Sequence, residues 1–178
     1  MTPATNHRQA SSAIITALQT NIAAVTLADG VTKAFDRVEL FDSENLPAAF
    51  QYLLISQQRV CVIVALDEKF PLVTRGMKLI LQRELPVALL ISNRVLGDRT
   101  ASLFGNATTP GAFGLMELVL TAVTGQLLPN PCGVVCEPSS SGVITVSDPT
   151  KKLPNRTTVS LLMNCRGGWL EADTQQVL

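Results

Sequence analysis

The chain is 178 residues long, 47% hydrophobic and 16% charged, with 14 basic residues balancing 14 acidic ones. That length suits one domain with a substantial core, and charge well below the usual quarter implies a surface partly covered by further copies or by a partner. Zero net charge excludes nucleic acid and anionic membrane as main partners, because both select concentrated Lys and Arg.

The N-terminal stretch through Gln9 is polar and lacks the apolar run that export requires, so 1–9 is expected to be loose, as is the tail over 170–178. The expected location is the cytoplasm, or a particle assembled there. Ser11 or Ser12 can cap a helix continued by Ile14, Ile15, Leu18, Ile22 and Val25, with Asp29-Gly30 turning the chain after it. Alternation from Phe35 to Phe41 predicts a half-buried strand. Ser43 and Pro47 begin a short helix over Leu46–Ile55 that turns Phe50, Leu53 and Leu54 inward. The unbroken apolar run Val60–Leu66 predicts a strand buried on both faces, and Asp67–Thr74 a charged connection.

Met77–Leu81 and Pro86–Ser92 are further strand candidates, with Pro86 expected at a turn or an edge because proline cannot donate to a ladder. Asn93–Thr109 is a polar connection too long for a simple turn. Thr109 as cap and Pro110 in the first turn open a helix over Ala112–Gln126 that is apolar around most of its circumference. Such a helix is either sandwiched within the domain or used between subunits. Pro129–Pro138 is turn-rich, Ser139–Gly142 a flexible link, and Val143–Val146 and Thr157–Cys165 are the closing strands. The longest apolar runs, around Val60–Leu66 and Leu115–Leu120, are too short to span a bilayer. No internal repeat or long linker divides the chain, so 1–178 reads as a single domain.

No catalytic constellation is visible. His7 is the only histidine and lies in the loose N-terminus, which removes Ser-His-Asp and Cys-His schemes and two-histidine metal sites. Asp67 and Glu68 are adjacent and so point apart on an extended chain, as solvated loop residues do. Gly111 and Gly114 open a helix without a Walker lysine or dinucleotide spacing, and Gly114 reads as a close-packing position. Trp169 and Tyr52 are isolated and form no stacking platform. Lys151, Lys152 and Arg156 lie in a Pro-rich turn and read as solvated. Cys61, Cys132, Cys136 and Cys165 lack the paired spacing of a zinc site and read as reduced, buried thiols. The alternative is a small cysteine-dependent redox or hydrolytic enzyme using Cys132 and Cys136, motivated by their CxxxC spacing beside Gly133. No catalytic, cofactor-binding or metal residue is assigned, and no cofactor is expected.

From Leu85 through Arg94, across a polar loop, and on through the helix Gly111–Gln126, the chain resembles the Mu-type phage tail protein family named for the product of gene thirty-seven. The shared features are a strand, an open loop and a helix beginning Gly-Ala and containing Leu-Met-Glu (Leu115–Glu117). Gly142–Val146 and Thr158–Met163 resemble the family's closing strands. The sequence departs from that pattern over Asp67–Lys78 and Pro129–Pro138. Such proteins are similar to phage tail terminators, so the resemblance implies an α/β fold of the α+β type, a small mostly antiparallel or mixed sheet with helices on one face. It further implies a phage or prophage tail structural protein and no catalysis. Expected partners are copies of itself in a ring, commonly of six, and tail tube or head-proximal components, reached in the host cytoplasm and retained in the virion tail. The Asn93–Thr109 loop, with Arg94, Arg99 and Phe104, is the expected contact segment.

Overall fold

A computed structural model describes residues 7–56, 59–75, 78–94, 98–106, 109–124, 135–146 and 156–167. Helices α1 (His7–Ala24), α2 (Leu46–Ile55), α3 (Arg99–Phe104) and α4 (Ala112–Val123) accompany seven strands: β1 (Arg37–Asp42), β2 (Val60–Ala65), β3 (Leu72–Arg75), β4 (Lys78–Leu81), β5 (Arg83–Ser92), β6 (Val135–Val146) and β7 (Arg156–Gly167). Five strands form one mixed sheet in the order β1-β2-β5-β7-β6, in which only the β1–β2 pair is parallel. The fold is therefore α+β. Among the described residues, no helix is long and apolar enough to cross a membrane.

The period of two along each strand divides the core in half. Cys61 and Ile63 of β2, Leu85–Ile91 at alternate positions of β5, and Val159–Cys165 at alternate positions of β7 pack under α1 and α4. The intervening Val60, Val62 and Val64, with Leu90 and Val146, pack under Ala49, Leu53 and Leu54 of α2. This explains why β2 reads as an unbroken apolar run, since both of its faces are covered. The helices are thus shared between the two faces, an arrangement that the expectation of helices on one face did not contain.

Several local expectations are revised. Helix α1 already includes His7–Gln9, which were expected to be loose; His7 stands on its first turn, and 1–6 lie outside the described residues. Asp42, rather than Ser43, caps the turn before α2, its carboxylate accepting from the Asn45 amide at 2.8 Å. Pro86 lies within a central strand. The reason is positional: its carbonyl accepts from Leu66, one residue past the β2 ladder, so the missing N–H falls where that ladder has already ended. Strand β3 occupies part of the expected charged connection, and β6 absorbs both Val135–Pro138 and the expected Ser139–Gly142 link, with a register shift at Pro138/Ser140. Trp169, residues 125–134 with Cys132 and Gln126, and the tail over 170–178 lie outside the described residues.

Helix α4 resolves the choice left open by its composition. Ala112, Leu115, Met116, Val119 and Val123 are buried against the sheet, and Phe113, Leu118, Leu120 and Ala122 are partly buried against the same core. Gly114, Glu117, Thr121 and Thr124 form its exposed strip. Its apolar surface is consumed inside the domain.

Candidate interaction surface

With α4 enclosed, the side chains left for contact lie elsewhere. The Asn93–Thr109 segment contains α3, a helix of one and a half turns where an irregular connection was expected. Its residues form it for identifiable reasons. Asp98 accepts from the Ala101 amide at 2.8 Å as N-cap, and the Ser102 hydroxyl donates back to the Asp98 carbonyl at 2.9 Å. Gly105 ends it at φ 85°, a left-handed conformation that a side chain would strain.

The return to α4 is tightly built. Asn106 and Thr109 exchange two hydrogen bonds, the Asn106 amide to the Thr109 carbonyl and the Thr109 amide to the Asn106 carboxamide, both 2.9 Å. The expected capping role of Thr109 passes to the Gly111 backbone. Asn93, buried at the end of β5, donates its side-chain amide to the Pro110 carbonyl at 2.7 Å and ties the loop to the sheet. A Cβ on Gly111 would collide with the Leu103 carbonyl and the Gly105 nitrogen. Gly111 is thus the close-packing glycine; Gly114, expected in that role, is exposed and has only the Pro110 side chain near it.

This scaffold holds Phe104 outward. Its ring stacks on Phe113 with centroids 5.6 Å apart and planes at 21°, yet 69% of the residue stays exposed. An aromatic side chain fixed on a hydrogen-bonded loop and left in solvent is the usual form of a protein-contact anchor. Arg94 stands at the start of the loop, half-buried.

The second region is the β3–β4 hairpin, a separate two-stranded sheet continuing the β2–β5 ribbon, where Leu72 and Thr74 are exposed. Its base carries a feature that the sequence concealed. Arg83 is fully buried, ion-paired with Glu68, and its guanidinium carbon sits 5.8 Å from the centre of the Phe70 ring. Glu68 is therefore a structural partner and not a solvated loop residue. Leu72, two residues further along, is 62% exposed.

The described thiols, Cys61, Cys136 and Cys165, sit elsewhere, in the core. Cys136 and Cys165 are register partners on β6 and β7, both buried, with sulfurs 3.0 Å apart. Hydrogen bonding to Cys136, reinforced by burial, pushes the Cys165 thiol far up, while the same bond draws that of Cys136 down. Burial alone pushes the Cys61 thiol up. The described neighbour of Cys136 is thus Cys165. Among the described residues, no group of three or more His, Cys, Asp or Glu side chains is placed to hold a metal ion.

The molecule thus falls in a broad class: an α+β domain with a mixed sheet and uncovered apolar projections. No protein-family model and no characterised protein matches the chain.

Proposed function

We propose that this protein is a structural subunit of a phage or prophage tail, terminator-like, that assembles as a ring and contacts tail tube or head-proximal components through the Asn93–Thr109 loop. Its place would be the host cytoplasm during assembly and the virion tail afterwards. The observation that carries the reading is Phe104, an exposed ring stacked on Phe113, in a segment tied by hydrogen bonds of Asn93 and Asn106 and by the close approach at Gly111. The tail assignment draws on the resemblance across the β5 strand, this loop and α4. A role carried by surfaces also accords with low charge content and with a core that takes up Cys61, Cys136 and Cys165.

A test is light scattering over a wide concentration range, alone and with tail tube protein, on the native chain and on Phe104→Ser. The expected result is an oligomer, or a complex with tube protein, whose tube contact is lost in the variant while the fold is kept. A strict monomer under both conditions overturns the reading; retained tube binding by Phe104→Ser removes the loop from it.

A further inference from the structure

Cys136 and Cys165 lie 29 positions apart in the chain, and the β6–β7 ladder makes them direct partners. Opposed residues of an antiparallel pair have Cα atoms about 4.5–5.5 Å apart, within the range of about 4.4–6.8 Å that a disulfide spans. Register partners also share a face of the sheet, here the one packed under α1 and α4. Their sulfurs stand 3.0 Å apart, about 1 Å beyond the length of an S–S bond. No strand has to slide for the bond to form.

The two thiols differ in how they can be reached. Strand β7 is interior, paired with β5 and β6, whereas β6 is an edge. Cys136 is the second residue of that edge strand, held there by the β7 ladder and by a single bridge to Thr124 at the end of α4. Opening the start of one edge strand exposes it, at far less cost than unfolding the domain. Hydrogen bonding with Cys165 also draws the Cys136 thiol down in spite of burial, so Cys136 is the one that ionises. Cys61 is a contrast. It lies on β2 between Val38 and Ile91, with no described thiol beside it, and burial pushes it up.

We propose that Cys136 and Cys165 are a redox-sensitive dithiol, which a peroxide closes into a cross-strand disulfide that fastens edge strand β6 to β7. The Cys136 thiolate attacks one oxygen of hydrogen peroxide, the O–O bond breaks, and the departing hydroxide takes up a proton as water. The Cys165 sulfur then attacks the Cys136 sulfenic acid, the S–O bond breaks, and a second water leaves with the Cys165 proton. The two sulfurs lose two electrons and the peroxide gains them. A resolving thiol already in contact intercepts the sulfenic acid before it oxidises further. Because Cys136 also bridges Thr124, the bond secures the end of α4 along with the strand. The inference stands apart from the tail reading.

The test uses the whole chain, native and as Cys132→Ser, which keeps Cys61, Cys136 and Cys165 as its thiols. Each is treated with hydrogen peroxide, quenched with catalase, and alkylated in denaturant. In the variant, Cys61 alone should be alkylated, and the intact mass should fall by two hydrogens. The tryptic peptides of Cys136 and Cys165 should run joined until reduced, in the native chain as well. At a fixed denaturant concentration the ratio of unfolded to folded chain should drop about tenfold or more on oxidation and recover on reduction. Three alkylated thiols in the variant, sulfinic acid without a join, or a join to Cys61 or to a second molecule overturns the inference. So does a native chain that joins Cys132 to Cys136 instead. A Cys136–Cys165 join that brings no gain in stability overturns the fastening of β6.

Discussion

Helix α4 and the β3–β4 hairpin are both rich in large apolar residues, and they meet opposite fates. The helix lies on the sheet between α1 and α3, with Leu115 and Val119 fully buried. The hairpin extends past the sheet and leaves Leu72 62% exposed. An apolar run in a sequence therefore does not itself say whether it serves the core or a contact; topology decides. The helix follows a loop that Asn93 ties to the end of β5, so it returns over the sheet. The hairpin grows from the outer ends of β2 and β5, beyond the last β5–β7 pair at Arg83↔Gly167, where among the described residues no third strand pairs with it.

The largest expected effect lies on the enclosed side of that comparison. Leu115→Ala should lower stability by about 2–5 kcal/mol, the cost of a cavity under a helix that cannot collapse freely onto the sheet. Denaturant unfolding measures it, and a loss below about 1 kcal/mol would mean that α4 is not closed in by its own domain. Gly111→Ala should cost about 1–3 kcal/mol, because the atoms its Cβ meets are backbone of Leu103 and Gly105 and cannot rotate away. The same change should shift the Phe104 loop and weaken any contact made through it. Stability unchanged in that variant would show that the loop gives way easily and is no rigid mount.

Much of the domain was legible in the residues. Patterning located α1, α2, β2, β5, α4 and the last strand, and the unbroken Val60–Leu66 run implied the burial on both faces that β2 shows over Val60–Val64. What escaped depends on distant partners. Ser139–Gly142 has the composition of a link, yet it is a strand because β7 supplies its ladder. Arg83 looks like any surface arginine until the hairpin brings Glu68 and Phe70 to it. Thr109-Pro110 has a capping signature, but Asn106 claims Thr109 for a turn. The Asn93–Thr109 segment was legible as long and polar and Phe104 as one of its candidate contact residues; the stacking of that ring on Phe113 was not, because it depends on how α3 is set against α4. One signal was present for the close approach of the two ends, the glycines Gly105 and Gly111.

A smaller effect concerns the pin that holds the β1 edge to the rest of the sheet. Asp36 accepts from the Arg59 amide at 3.0 Å and from its guanidinium at 3.0 and 3.3 Å, joining the starts of β1 and β2. Partial burial pushes the Asp36 carboxyl up, but the Arg59 hydrogen bonds outweigh it and hold it below its ordinary value. A depressed carboxyl contributes stability above its unfolded pKa and loses that contribution as pH falls through the folded value. The pair should therefore support the fold at pH 7 and fade below about pH 4. Because both groups are partly solvated, Asp36→Asn should cost about 1 kcal/mol or less at neutral pH, and the difference from the native chain should shrink as the pH falls below the ordinary carboxylate range. An undiminished difference in acid would assign the effect to the backbone contact and not to charge.

The smallest expected effect on stability is also the sharpest contrast with Leu115. Leu72→Ala removes the same atoms, but from a position that water already reaches, so the folding free energy should change by no more than about 0.5 kcal/mol. Measured at dilutions where the chain is monomeric, its unfolding curve should overlay that of the native protein. At higher concentration the two should separate, because apolar surface covered by a second copy stabilises the folded form by mass action. The difference should grow with concentration, as no intramolecular contact can make it do. A loss of more than about 1 kcal/mol in the dilute limit would place Leu72 against its own chain and close the gap between hairpin and helix. A difference that stays small at every concentration would leave the exposed leucine without a partner of its own kind.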